Sequence, residues 1–232
     1  GNVILIQKGQ IINANRIEYK KDKSQDGVSY KAIGGVIIKD STRVATCGLA
    51  KYDRENERTI LELEPEIKEN NRLLAGTKIT LTYEQEKLKK LYIPKNAYAI
   101  TPIRGYQASL IDSNQVGDSL RFNDKMEGTS ILGFFEDGKL DSLRIEGMAK
   151  TLYHIFEDSI YQGKNNASGD TIAISFYDND LNTINIIGGS EGKYIPDSLS
   201  DGNEYPVTYK ASRIKYHLQN DESDFDGNVN IK

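Results

Sequence analysis

The chain has 232 residues, 38% hydrophobic and 28% charged, with a formal net charge of −4. No basic surplus exists to displace counterions from phosphates, which excludes nucleic acid as the main partner. The single cysteine, Cys47, excludes an intramolecular disulfide and a multi-cysteine metal site, and no apolar run approaches the roughly 18–20 residues of a helical membrane span.

The length suits one large β domain or two small ones. The first element is a strand, Val3-Ile4-Leu5-Ile6, with no leader pattern before it. It reads as the start of a mature or excised segment. Next comes Ala14-Asn15-Arg16-Ile17-Glu18-Tyr19, followed by Gly34-Gly35-Val36-Ile37-Ile38. Two stretches tempt a helical reading. Asp53 to Leu63 is dominated by charge, and Tyr83 to Leu91 holds Gln85-Glu86-Lys87, which reads better as a hairpin tip. Little or no helix is expected.

Elsewhere the pattern has period two. Ile79, Leu81 and Tyr83 alternate with Lys78, Thr80 and Thr82, and Ile172, Ile174 and Phe176 alternate with Thr171, Ala173 and Ser175. This is the mark of antiparallel strands with one apolar and one solvated face. The 14 tyrosines and abundant isoleucine fit strand propensity. Turn chemistry separates the runs at Asp137-Gly138, Asp178-Asn179-Asp180, Gly188-Gly189, Asp201-Gly202 and Asp226-Gly227.

A strand–turn–strand unit led by glycine recurs from Gly76, Gly117 and Gly169, which are 41 and 52 residues apart. Such a period predicts stacked hairpins with open ends. A second repeat joins the two ends of the chain: Ala211-Ser212-Arg213-Ile214-Lys215-Tyr216 and Gly227-Asn228-Val229-Asn230-Ile231 echo the opening motif. No linker divides the chain. The stretch from Tyr194 to Val207 is the best candidate for a long loop, and 102–118 is a weaker joint.

The run Arg16-Ile17-Glu18-Tyr19, Gly35-Val36-Ile37-Ile38-Lys39-Asp40, Cys47-Gly48-Leu49-Ala50-Lys51-Tyr52, Pro65-Glu66-Ile67 and Leu74-Ala75-Gly76-Thr77-Lys78-Ile79 resembles the OstA-like domain of the lipopolysaccharide transport family. Residues 1–101 form the clearest unit, 117–196 look like further strands of it, and 211–232 like the start of another. The resemblance implies one continuous antiparallel β-jelly roll over 1–232, elongated and folded like an open taco. It implies a periplasmic protein, exported across the inner membrane, that carries acyl chains in an apolar groove toward the outer membrane. Its partners would be lipopolysaccharide or a related lipid, other Lpt-type β-jelly-roll proteins joined by edge-strand pairing, and further copies of itself head to tail. The chain is longer than a single such domain, and Asn123 to Gly128 reads as inserted material.

Nothing in the sequence marks an enzyme, a cofactor or a metal site. His154 and His217 lack a second ligand at metal spacing, and each reads as a strand histidine on a polar face. Cys47 has no suggestive histidine neighbour and reads as inert. Asp221-Glu222-Ser223-Asp224-Phe225-Asp226 and Asp178-Asn179-Asp180 lack the spacing of a calcium loop and read as solvated turns. Asn166-Ala167-Ser168 fits a glycosylation sequon but is short. Gly188-Gly189-Ser190-Glu191-Gly192 reads as a bulge or tight turn between strands rather than a phosphate loop.

The expected groove lining is the in-phase apolar set of the clearest strands: Val36, Ile38, Ile79, Leu81, Leu91, Ile93, Leu120, Phe122, Leu143, Ile145, Ile172, Ile174, Ile184 and Ile186. Ile, Leu and Val fill an ordinary sandwich core as readily as they line a lipid groove. The resemblance favours the groove, open at both ends so that lipid can slide onward. The alternatives are a carbohydrate-binding β-solenoid and a structural stalk with a packed core.

Overall fold

Alternating apolar and polar residues make strands, and the computed structural model contains no helix among the residues it describes: 2–7, 9–21, 28–69, 71–106, 120–177, 180–197, 205–217 and 222–232. The strands are β1 (Val3–Gln7), β2 (Gln10–Ala14), β3 (Arg16–Lys21), β4 (Val28–Lys39), β5 (Arg43–Asp53), β6 (Arg58–Glu62), β7 (Glu66–Glu69), β8 (Arg72–Ala75), β9 (Lys78–Glu84) and β10 (Lys87–Ile93). They continue as β11 (Ala97–Gly105), β12 (Leu120–Gly128), β13 (Ser130–Glu136), β14 (Lys139–Glu157), β15 (Ile160–Tyr177), β16 (Asp180–Pro196), β17 (Val207–His217), β18 (Glu222–Asp226) and β19 (Asn230–Ile231). All are hydrogen-bonded into one antiparallel sheet. The fold is an all-β jelly roll in which this sheet bends into two leaves.

The bend falls at the same point on every rung. One leaf holds β7, β8, β11, β12 and the 149–157 half of β14, paired in that order. The other holds β6, β9, β10, β13 and the 139–146 half of β14. β4, β5, β15, β16 and β17 likewise contribute one half to each leaf. Along the fold line, two kinds of corner alternate. One kind turns through left-handed residues: Gly34-Gly35, Leu63-Glu64, Asn96, Gly147-Met148, Gly188-Gly189 and Gly227-Asn228 all have positive φ. The other passes through Asn15, Gly48, Thr77, Thr129, Asp170 and Ser212, which are small or short polar residues. The two kinds are stitched together by backbone bonds from Asn15 N to Gly34 O (2.9 Å), Gly48 N to Leu63 O (2.8 Å), Thr77 N to Lys95 O (3.1 Å), Thr129 N to Gly147 O (2.9 Å) and Ser212 N to Gly227 O (2.6 Å). An extra residue on one strand against its partner bends both, which is how a bulge turns a sheet.

Inside the bend runs one cross-strand ladder: Ala32, Ala50, Leu61, Ile79, Ile93, Ile131, Ile145, Ile172, Ile186 and Ile214. Each is 0% exposed. Burying a branched side chain of this size stabilises by about 1.5–3 kcal/mol, so this row is the main adhesive between the leaves.

The glycine repeat of the sequence has a different meaning in the structure. Gly76 lies in the bend between β8 and β9 and Gly169 lies inside β15; each directly precedes a short corner residue, Thr77 and Asp170, and Gly128 precedes the equivalent Thr129. Gly117 lies outside the described residues, as do Asp178-Asn179 and Asp201-Gly202. Asn123 to Gly128, expected as an insertion, is an in-register part of β12 opposite Ala97–Pro102. The acidic Glu222–Asp226 run is strand β18, in register with β17 rather than a turn. Asp53 to Leu63 is a hairpin connection and strand β6.

Gly188 and Gly189 separate two costs of a side chain at a corner. A Cβ on Gly188 (φ +81°) would sit 2.8 Å from the Asp170 Cβ, whereas on Gly189 (φ +58°) it meets open space. Gly189→Ala is expected to cost about 1 kcal/mol from backbone strain alone, and Gly188→Ala about 2–3 kcal/mol. Denaturant unfolding measures both; equal costs would refute the corner packing.

Burial pushes the Cys47 thiol up to about 11 from 9.0, and holds the phenols of Tyr30 and Tyr216 above their usual range. The folded state keeps these protons longer than the unfolded chain does. Their contribution to stability is therefore complete below pH 9 and is lost as pH rises through the folded values. Thermal unfolding should give a melting temperature that holds up to about pH 9 and falls by pH 11; a flat profile would contradict the burial.

Candidate functional site

Next to the isoleucine ladder, each leaf carries a second inward row. On one leaf it runs Ile12, Ile38, Ala45, Ile67, Leu74, Ala99 and Met126. On the other it runs Tyr30, Tyr52, Thr59, Leu81, Leu91, Gly133 and Leu143. Ala45, Thr59, Ala99 and Gly133 are too small to fill the space between the rows. The result is a cavity of ≈ 560 Å³ lined by Ile38, Leu61, Ile67, Leu74, Leu81, Leu88, Leu91, Met126, Phe135 and Leu143, among others.

The cavity opens sideways between hairpin ends. One lip is formed by Asp40, Arg43, Glu69 and Arg72, the other by Tyr83, Gly138, Lys139 and Leu140. Asp40 organises the first lip: its carboxylate accepts the Thr42 amide (2.9 Å), the Arg43 amide (2.7 Å) and Arg43 Nε (3.1 Å). Glu69 lies 3.8 Å from the same guanidinium. Arg43 is thus held between two acids, while Arg72 has no ion-pair partner among the described residues. Burial raises the Tyr83 phenol, so it stays a neutral donor in the wall.

Asp124 also reaches the cavity wall. It accepts the His154 backbone amide (2.9 Å) and sits 2.8 Å from His154 Nδ1. Burial raises this carboxyl, and the bonds from His154 pull it back down. His154 was expected on a polar face. It is instead mostly covered, its ring 4.9 Å from Phe122 and 5.9 Å from Tyr161, because Asp124 supplies the polar contact that burial demands. His217 stays nearer solvent, 3.0 Å from Asp224. Among the described residues no group of three or more His, Cys, Asp or Glu could hold a metal ion.

Of the expected lining residues, Ile38, Leu81, Leu91 and Leu143 reach the cavity. Val36, Ile79, Ile93, Ile145, Ile172, Ile174, Ile184 and Ile186 lie in the packed interior beside it. Phe122 belongs to an aromatic cluster with His154, Phe156 and Tyr161. Leu120 begins β12, and its side chain lies outside the described residues. Sequence reasoning missed Leu74, Met126 and Phe135, and the lip residues Arg43, Arg72 and Lys139. Their apolar or cationic character was visible, but only cross-strand register brings them to one opening.

The family described as LptA/(LptD N-terminal domain) LPS transport protein matches residues 1–87. No curated protein sequence matches the chain. Among solved structures, the chain is similar to LptH of Pseudomonas aeruginosa, described as the LptA-homologous periplasmic component of the conserved lipopolysaccharide transport device. The identity is 10% and the TM-score 0.35, over 82% of this chain and 93% of that one. The fold assignment rests on the strand register rather than on this likeness. Over residues 1–87 the chain is similar to this family of lipopolysaccharide transport proteins.

Proposed function

We propose that the chain binds the acyl chains of lipopolysaccharide, or of a related lipid, between its two leaves. In this reading it serves in the periplasm as one part of a bridge toward the outer membrane, by binding and relay without bond chemistry. The observation that carries the reading is an apolar cavity with Arg72 and Lys139 at its side mouth, in a chain whose residues 1–87 match a lipopolysaccharide transport family. At ~30 Å³ for a water-sized group, the cavity has room for about twenty chain carbons. Each methylene taken from water stabilises the complex by about 0.8 kcal/mol. Ile38, Leu81, Leu91 and Leu143 are the contacts from the expected set. Arg72 and Lys139 stand at the lips, where a phosphorylated head group would remain in water.

A photo-crosslinking residue at Leu74 or Met126 should capture lipopolysaccharide on irradiation, well above a control at Tyr19, which is 72% exposed. Equal yields would sink the lipid reading. Arg72→Glu should lower capture of the phosphorylated lipid more than Arg43→Glu does, because Arg43 is already neutralised by Asp40 and Glu69. Equal losses would remove Arg72 from the head-group role.

The whole chain, 1–232, acts in this reading as one continuous array with two free edges. Among the described residues, β1 pairs only with β2 and exposes Ile4 and Ile6, and β18 and β19 pair only with β17. Unpaired edges accept another strand, which supports head-to-tail joining with a second copy or another β-jelly-roll protein. Sedimentation should show assembly that grows with concentration and is abolished by Ile4→Lys with Ile6→Lys. A monomer at all concentrations would count against it.

A further inference from the structure

The interior changes character along its axis. Past Leu143, the inward row of one leaf continues through Ile174 and Ile184 to Tyr216. The facing row continues from Met126 through Thr151, Ala167 and Gly192 to Tyr209. Small residues on that leaf leave room, and the ring of Tyr209 occupies it: a Cβ on Gly192 would strike that ring. Phe225 packs edge-on against Tyr209, with ring centroids 5.7 Å apart.

The tyrosines are tied across the two leaves. Tyr216 Oη donates to Tyr209 Oη (2.7 Å), Tyr209 Oη donates to Asn165 Oδ1 (2.6 Å), and Asn165 Nδ2 donates to Tyr153 Oη (3.0 Å). Asn165 is 4% exposed and Tyr209 6%. A buried chain of this kind resists opening, because parting any link strands polar groups away from water. None of its four members lines the cavity.

We infer that the Tyr153–Asn165–Tyr209–Tyr216 network is an internal stop that ends the acyl-chain path at Phe176 and Leu181, the last residues of the cavity wall in chain order. Lipid then enters and leaves by the side mouth between Arg72 and Lys139. It does not slide out through the β17–β19 end while the network stands. This inference rests on the lipid reading of the same cavity. It replaces the groove open at both ends that the sequence suggested.

The test uses the unmodified chain and a lipid A bearing a diazirine at the tip of one acyl chain, with labelled residues mapped by mass spectrometry. The expected map confines label to the cavity wall, with Leu74, Met126, Leu143 and Phe176 among the labelled residues, and with background at Ile184, Ala167 and Ala211. In Tyr209→Ala, label should appear at Ile184 and Ala167 at the yield seen at Leu143. Tyr216→Ala serves the same purpose if circular dichroism shows that the first variant fails to fold. Label on both sides of the network in the unmodified chain overturns the stop and leaves the lipid reading standing. Label still confined in a folded variant also overturns it. Background labelling everywhere overturns the lipid reading, and the stop with it.

Discussion

The structure depends on one constraint: a hydrogen-bonded sheet can fold along a line only if every strand breaks at that line. A strand that ran straight through would pull its neighbours flat. Here each rung bends at a matching place, and the bends are of two sorts that fit one another. The left-handed pairs at Gly34-Gly35, Gly147-Met148 and Gly188-Gly189 project an extra residue. Their neighbours at Asn15, Thr129 and Asp170 are short enough to lie against them. The two threonines add a hydroxyl bond, from Thr77 Oγ1 to Lys95 O and from Thr129 Oγ1 to Gly147 O, each at 3.2 Å.

The fold line fixes the rest by distance. Just inside it, the leaves are close and a row of isoleucines excludes water. One inward position further out, the leaves have diverged, and side-chain volume decides what happens. With Ala45, Thr59, Ala99 and Gly133 across the gap, the interior stays open. With Tyr209 and Tyr216 across it, the interior closes and is held shut by hydroxyl contacts. The same bend thus yields a pocket in one stretch and a packed core in another, through residue size alone.

Much of this was legible in the sequence and some was not. Period-two alternation identified the strands because one face of each is buried. Of the two readings of Gly188-Gly189, bulge or tight turn between strands, the structure has the bulge, inside β16, and Gln85-Glu86 and Asp137-Gly138 are tight turns as read, because positive φ at these sites has a local chemical signature. The family resemblance was carried by residues 16–79, within the segment that the family model matches. The row to which each apolar residue belongs was not legible. Ile79 and Leu81 share a face, yet the first is sealed in the bend and the second borders the cavity. That difference of one inward step depends on the distance from the corner, which no local pattern states. The pairing of His154 with Asp124 was hidden for the same reason: thirty residues separate them in sequence, and only strand register joins them.

The alternation of corners also restricts how such a molecule can change in length. A projecting bend needs a short neighbour on either side, so the repeating increment is two strands. Adding one strand would set two projecting bends side by side and break the stitching between them. Adding a pair leaves every existing contact intact and moves the free edge outward. Lengthening by duplication is therefore permitted in even steps. The span between the two ends can be adjusted by gene-level repetition without redesigning the cavity in the middle.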